Sequence, residues 1–190
     1  MARPRTFDEE RAVEAAMRAF WAAGYEATST QDLCAATGLG RSSVYNTFAS
    51  KHDLFEKALV RYMETKSTAA EAVLASARPV REKVRVLLWR AVDGEPEDPV
   101  GCLVVNAMVE LAPKDSRIAA LLARDYDRRL EALRVALEAG RRAGEIAADR
   151  DPRQLAHFVI SSITGLVVLA RSGADRSALE AVATSVLAAL

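Results

Sequence analysis

Histidine, cysteine, excess charge and long apolar runs are all scarce in this chain, and each scarcity removes a class of function. The 190 residues hold two histidines, His52 and His157, and two cysteines, Cys34 and Cys102. Neither set has paired metal-ligand spacing, there is no glycine loop to cradle phosphate, and no nucleophile stands with a base. Catalysis therefore has little to rest on, and neither a metal nor a cofactor is expected. Two cysteines make no disulfide framework, and no secretory apolar region follows Met1, so free thiols in a reducing, cytoplasmic setting are expected. Lys plus Arg and Asp plus Glu both number 26. No global positive field exists, and any nucleic-acid partner must be met by a local surface. The longest uncharged run, 154–170, barely reaches the roughly 17-residue minimum of a membrane span. It contains Gln154, His157, Ser161, Ser162 and Thr164, which fits a helix buried in protein rather than a membrane segment.

Strand-like alternation is also missing. With 51% apolar residues the chain can bury a sizeable core, and helix propensity dominates throughout. The expected class is all-α, with an N-terminal three-helix unit over 1–50 and a larger helical body over 51–190.

The first helix is expected to open at Asp8 and bury Val13, Ala16, Met17, Phe20 and Trp21, spaced i, i+3, i+4, i+7, i+8, before Gly24 stops it. Ser29 and Asp32 have the spacing of a capping box for a second short helix with Leu33, Cys34 and Ala36 inward. Gly38, Leu39 and Gly40 form a turn, and a third helix runs over 41–48 with Gly40 as its N-cap. At about 100° per residue, Val44 and Phe48 define its buried edge and Ser42, Ser43 and Asn46 its outer face, flanked by Tyr45 and Thr47. Residues 33–52 contain no Asp or Glu. A helix pressed against phosphates and base edges must avoid carboxylates, so this gap suits the second helix of a helix-turn-helix entering a DNA major groove. A solvated helix in an ordinary bundle is the alternative. Lys51, Arg3 and Arg5 supply local positive charge.

The segment AAMRAFWAAGYEATSTQDLCAATGLGRSSVYNTFASKHDLFEKAL lies within a stretch, 7–59, that resembles the DNA-binding domain of the tetracycline-repressor (TetR) family of bacterial regulators. Phe20, Gly24, Tyr25, Thr28, Leu33, Ala36, Gly38, Tyr45, Phe48, Lys51, Leu54 and Leu59 fall where that family's pattern wants them. Gly40 replaces a usual serine cap, Ser42 a common glycine, Thr47 a frequent aromatic residue, and Cys34 a common alanine; the first three leave open a helical ligand-binding dimer without specific DNA recognition. The resemblance implies a homodimeric repressor that binds a palindromic operator and is released by a small-molecule effector. It also implies that Arg41, Ser42, Ser43, Tyr45 and Asn46 approach bases or phosphates, that Thr47 adds a backbone contact, and that Thr28 and Lys51 hold phosphate. Arg41 is the residue suited to guanine. For Tyr45 core packing, and for Arg3 and Arg5 a disordered tail, stand beside the DNA reading.

A long helix over 51–76 would connect this unit to the body, and its tilt would change the separation of two recognition helices. Further helices are expected over 79–92, 101–112 and 116–142, with DGEPEDP as a break. Tyr62, Met63, Trp89, Asn106, Met108 and Tyr126 are the expected pocket walls, against plain core packing. GCLVVNA is similar to a stretch in family members that sense electrophiles, which implies a thiol sensor at Cys102; a small buried hydrophobe is the alternative, and Cys34 reads as structural. Two closing helices over 154–170 and 177–190 are apolar on several sides, with small residues that allow close approach. They are expected either to pair with a second copy or to be buried within the chain.

Overall fold

Gly24 shows why the first helix ends where it does. In the computed structural model, which describes residues 9–94, 98 and 101–190, α1 (Glu9–Ala23) is followed by Gly24 at φ +88°, whose N–H still donates to the Phe20 carbonyl at 2.8 Å. That left-handed turn is open to glycine at little cost. The expected cap Asp8, together with Arg3 and Arg5, lies outside the described residues.

Ser29 then starts α2 (Thr30–Thr37). Its hydroxyl accepts from the Asp32 N–H at 3.1 Å, and its own N–H donates to the Asp32 carboxylate at 2.8 Å, which completes the expected capping box. The Ser29 hydroxyl also donates to that carboxylate at 2.6 Å, and this bond first, with the Ser29 N–H second, holds the Asp32 carboxyl below its ordinary pKa. Ala36, expected inward, is exposed. The eight-residue helix buries only Leu33, half-buries Cys34, and offers the core too narrow an edge to reach Ala36. After Gly38 in the left-handed region, α3 (Arg41–Phe48) begins with Gly40 as N-cap, and Ala49 ends it at φ +57°. α4 (Lys51–Ala75) follows, capped by Ser50.

The body consists of α5 (Val80–Asp93), α6 (Leu103–Glu110), α7 (Ser116–Arg142), α8 (Pro152–Arg171) and α9 (Arg176–Ala188). Among the described residues there are nine helices and no strand. Asp115, Asp151 and Asp175 accept backbone N–H bonds at the starts of α7, α8 and α9, placing negative charge at the positive end of each helix.

Two apolar cores share α4 as a spine. The first joins α1, α2 and α3 to Leu54, Phe55, Ala58 and Leu59 of α4, and continues into Leu103, Val104 and Ala107 of α6. Phe20 and Phe55 meet edge to face at 5.0 Å within it. Burying each such ring contributes about 1.5–3 kcal/mol. The second core is built from α5, α7, α8 and α9, with Leu74 from the far end of α4. A division at residue 50 therefore runs through the first core rather than around it.

Candidate nucleic-acid interface and the cavity behind it

α3 is held by two side chains and leaves the rest outside. Val44 is 1% and Phe48 2% exposed, whereas Arg41, Ser42, Ser43, Tyr45 and Asn46 are all exposed. The helical repeat places the buried pair on one edge and the polar set on the other, as the spacing requires. Gly40 caps through its carbonyl alone, which accepts from Ser43 at 2.9 Å and Val44 at 3.1 Å. With no side-chain oxygen over the first turn, its leading N–H groups remain oriented outward as anion donors.

Neighbouring groups fix the rim. The Tyr45 hydroxyl is hydrogen-bonded to Thr30 at 3.0 Å, and the Arg41 guanidinium lies 5.8 Å from the Tyr45 ring centre. The hydrogen bond with Thr30, helped by Arg41, holds the phenol below its ordinary pKa. Lys51 packs its ammonium 4.4 Å from the centre of the Tyr25 ring. This cation–π contact positions the charge where α4 begins. The carboxylates bordering the acid-free stretch are engaged: Asp32 with Ser29, Asp53 with Ser50 at 2.6 Å, and Glu26 with Lys114 at 2.7 Å.

Two expected residues sit differently. Thr28 is 1% exposed and its hydroxyl donates to the Gly24 carbonyl at 2.6 Å, so its side chain braces the turn and has no face for phosphate. Thr47 is half-buried and donates to the Ser43 carbonyl one turn back at 2.8 Å.

The α6 region ties this unit to the body. Trp21 Nε1 donates to the Gly101 carbonyl at 3.1 Å, and Glu110 accepts from the backbone N–H groups of Tyr25 (2.8 Å) and Glu26 (3.3 Å). His52 Nε2 meets Asp115 at 2.5 Å and Arg117 meets Glu56 at 2.6 Å. His52, Asp53 and Glu56 form the one group among the described residues whose ligand atoms could converge on a metal ion, yet His52 and Glu56 are already engaged in those pairs.

Behind the interface lies a cavity of about 700 Å³, within the range of small-molecule sites. Tyr62, Met63 and Cys102 are among the residues that line it. Asn106 instead lines a neighbouring hollow of about 430 Å³, which shares Gly101, Cys102 and Val167 with the first. Trp89, Met108 and Tyr126 line neither. Arg85 stands over the Trp89 ring at 5.9 Å, Met108 is exposed, and the Tyr126 hydroxyl is hydrogen-bonded to His157 at 2.6 Å. The polar wall residues Ser67, Asp125 and Arg129 were not anticipated. Asp125 is 8% exposed, lies 2.9 Å from Arg129 one turn on, and accepts from Ser67 at 2.9 Å. Burial raises the Tyr62 phenol far above its ordinary pKa, and the neighbouring Cys102 adds to the shift.

Residues 12–58 match the family described as bacterial regulatory proteins, tetR family, and residues 81–186 match the tetracyclin repressor-like C-terminal domain. The chain belongs to the tetR family. The HTH-type transcriptional repressor ComR of Escherichia coli (strain K12) is 32% identical over 188 residues, spanning 97% of this chain and 90% of that one. The uncharacterized HTH-type transcriptional regulator YezE of Bacillus subtilis (strain 168) is 31% identical over 183 residues, 95% and 94% of the two chains. A solved structure of the TetR family regulator CifR, a cysteine mutant complexed with 26-bp double-strand operator DNA, aligns over 99% of both chains with a TM-score of 0.87 and 34% identity. The all-α, helix-turn-helix expectation is thereby met, and this tetR-family chain is a DNA-binding transcriptional regulator.

Proposed function

We propose that the protein is a repressor that binds a twofold-symmetric operator as a homodimer and is released when a small molecule enters the 700 Å³ cavity. The exposed, carboxylate-free face of α3 carries this reading: Arg41, Ser42, Ser43 and Asn46 project from a helix whose buried side chains are Val44 and Phe48. In this arrangement α3 lies in the major groove, Arg41 and Asn46 contact base edges, and Lys51 and the open N–H groups of α3 hold phosphate. The dimer is supported by α8, where Phe158, Val168 and Leu169 are 44%, 47% and 40% exposed. α8 also has the length and composition of a membrane span. Its hydroxyls, and its packing on α5, α7 and α9, favour burial against a second copy of α8 and α9. Release follows if an occupied cavity displaces α6, whose Glu110 and the neighbouring Asp115 grip the Tyr25 and His52 regions, and so re-spaces the two copies of α3.

Selection of bound duplexes from a random pool tests the reading. The expected product is a pair of inverted half-sites whose centres lie about 34–36 Å apart, or a multiple of that. Enrichment of a lone half-site, or none, would sink it. One observation favours a second reading, thiol chemistry: Cys102 stands at the N-cap position of α6 and borders both hollows beside Tyr62. Alkylation mapped by mass spectrometry, with operator binding before and after and a Cys102→Ser control, decides it. An alkylated protein that still binds operator fully contradicts it.

A further inference from the structure

The charges around the large cavity do not cancel. Four carboxylates line it, and each already has a cationic partner. Arg128 grips Glu71 with two bonds of 2.6 and 2.7 Å, and Arg176 reaches Asp93 at 2.7 Å. Lys66 reaches Asp98 at 2.9 Å, and Arg129 stands 2.9 Å from Asp125, whose other oxygen accepts from Ser67. Three cations line the same space: Lys66, Arg129 and Arg90. The first two are engaged in those pairs. Arg90, on α5, has no carboxylate partner among the described residues, and its guanidinium donates to the Ala69 carbonyl at 3.2 Å. A guanidinium has five N–H donors in a planar fork; Arg90 is exposed, so the donors it does not spend on Ala69 face solvent and are open to an anion.

The aromatic and carboxylate groups suited to a cation are already occupied. Trp21 and Tyr62 meet edge to face at 4.8 Å. The Lys66 ammonium lies 4.9 Å from the Trp21 ring centre and 5.7 Å from that of Tyr62 while it pairs with Asp98. A cationic ligand would have to displace a tethered ammonium from its aromatic and carboxylate partners. A second anionic group beside Ser67 would face the buried Asp125 carboxylate. The remaining wall is apolar, with Met63, Leu133, Ile160 and Ile163 among its residues.

We infer that the effector is an amphiphile with a single anionic head, a carboxylate by its fit to the fork of Arg90, and an uncharged apolar body that fills the cavity. This rests on the reading of that cavity as the effector site. Arg90 is then the residue that chooses the head group, while the walls set only size and apolarity. A carboxylate gains charge-assisted hydrogen bonds that a hydroxyl of the same chain length does not, and an ammonium at the same place meets like charge.

Calorimetric titration of the full-length protein with dodecanoate, dodecanol and dodecylamine, each below its self-association concentration, tests the inference. Dodecanoate should bind about tenfold or more tightly than dodecanol, and dodecylamine no better than dodecanol. Arg90→Gln should bring dodecanoate down to the affinity of dodecanol and leave dodecanol unchanged. Arg81→Gln, on an exposed position of the same helix away from the cavity, should change neither. The wild-type series stands alone if the Arg90 variant fails to fold. Dodecylamine binding as tightly as dodecanoate, a preference that survives Arg90→Gln, or binding of none of the three overturns the inference. Operator release is measured separately. Dodecanoate bound through Arg90 without release would uphold the head-group assignment and refute the release mechanism.

Discussion

Replacing Glu110 by alanine cuts a link between α6 and the turn that follows α1. One carboxylate oxygen accepts from the Tyr25 N–H at 2.8 Å in a part-buried setting, and the other from the Glu26 N–H at 3.3 Å at the surface. Gly24 is packed on the same carboxylate, 3.0 Å from where a β-carbon would stand. A hydrogen bond to a charged group contributes about 1.5–3 kcal/mol, and the longer, solvated bond adds little, so the loss should be about 2 kcal/mol. For a chain of this size about 2–4 °C accompanies each kcal/mol, which places the fall in Tm at roughly 4–8 °C. Differential scanning calorimetry at fixed protein concentration measures it, and Glu110→Gln, which keeps one acceptor, should recover about half. A fall of less than 1 °C for Glu110→Ala would refute the argument that this contact ties the two parts together.

Gly140→Ala should destabilise despite alanine's better helix propensity, because a β-carbon there would stand 2.4 Å from Val80 Cγ1 and 2.8 Å from its Cβ. Overpacking of about 1–3 kcal/mol exceeds the roughly 1 kcal/mol propensity gain, so a lower urea midpoint is expected. Ala49→Gly should act oppositely. Ala49 is the one non-glycine at positive φ among the described residues, and relief of about 1–2 kcal/mol outweighs the added freedom of the unfolded chain, raising Tm by about 2 °C. Asp115 bears on acid stability. Backbone donation from Ile118 and the His52 contact hold its carboxyl below the ordinary value, so its contribution is present above about pH 4 and lost as pH falls through the lowered folded value. Asp115→Asn should therefore lower stability at neutral pH and flatten the loss seen in denaturant titrations below about pH 4.

Local chemistry decided what could be read ahead. The Ser29–Asp32 cap, the glycine stop at Gly24 and the outer face of α3 each depend on a few adjacent residues, and a helix over 116–142 lies between an Asp115 cap and a charged end. Once the TetR-like pattern over residues 7–59 was read, the operator partner followed from it rather than from the helix pattern alone. Thr28 escaped because its burial depends on the fold of the turn around Gly24, not on its neighbours in sequence. The cavity was harder. Its walls come from α1, α4, α5, α6, α7 and α8, so large residues such as Trp89 and Met108 could be picked by type but not by direction. Asp125 and Arg90 look alike in sequence to any surface charge. Only the count of partners separates the buried, satisfied carboxylate from the cation left over.

In the proposed complex α3 reads DNA while α4 only holds it. Titration of the selected operator across a range of salt concentrations, with the Asn46→Ala and Lys51→Ala proteins beside the wild type, tests this most directly. Asn46→Ala should weaken the operator by about 1–3 kcal/mol while leaving unrelated duplexes unaffected. Lys51→Ala should weaken every duplex alike and reduce the salt slope by about one. Equal effects of the two substitutions on operator and unrelated DNA would contradict it.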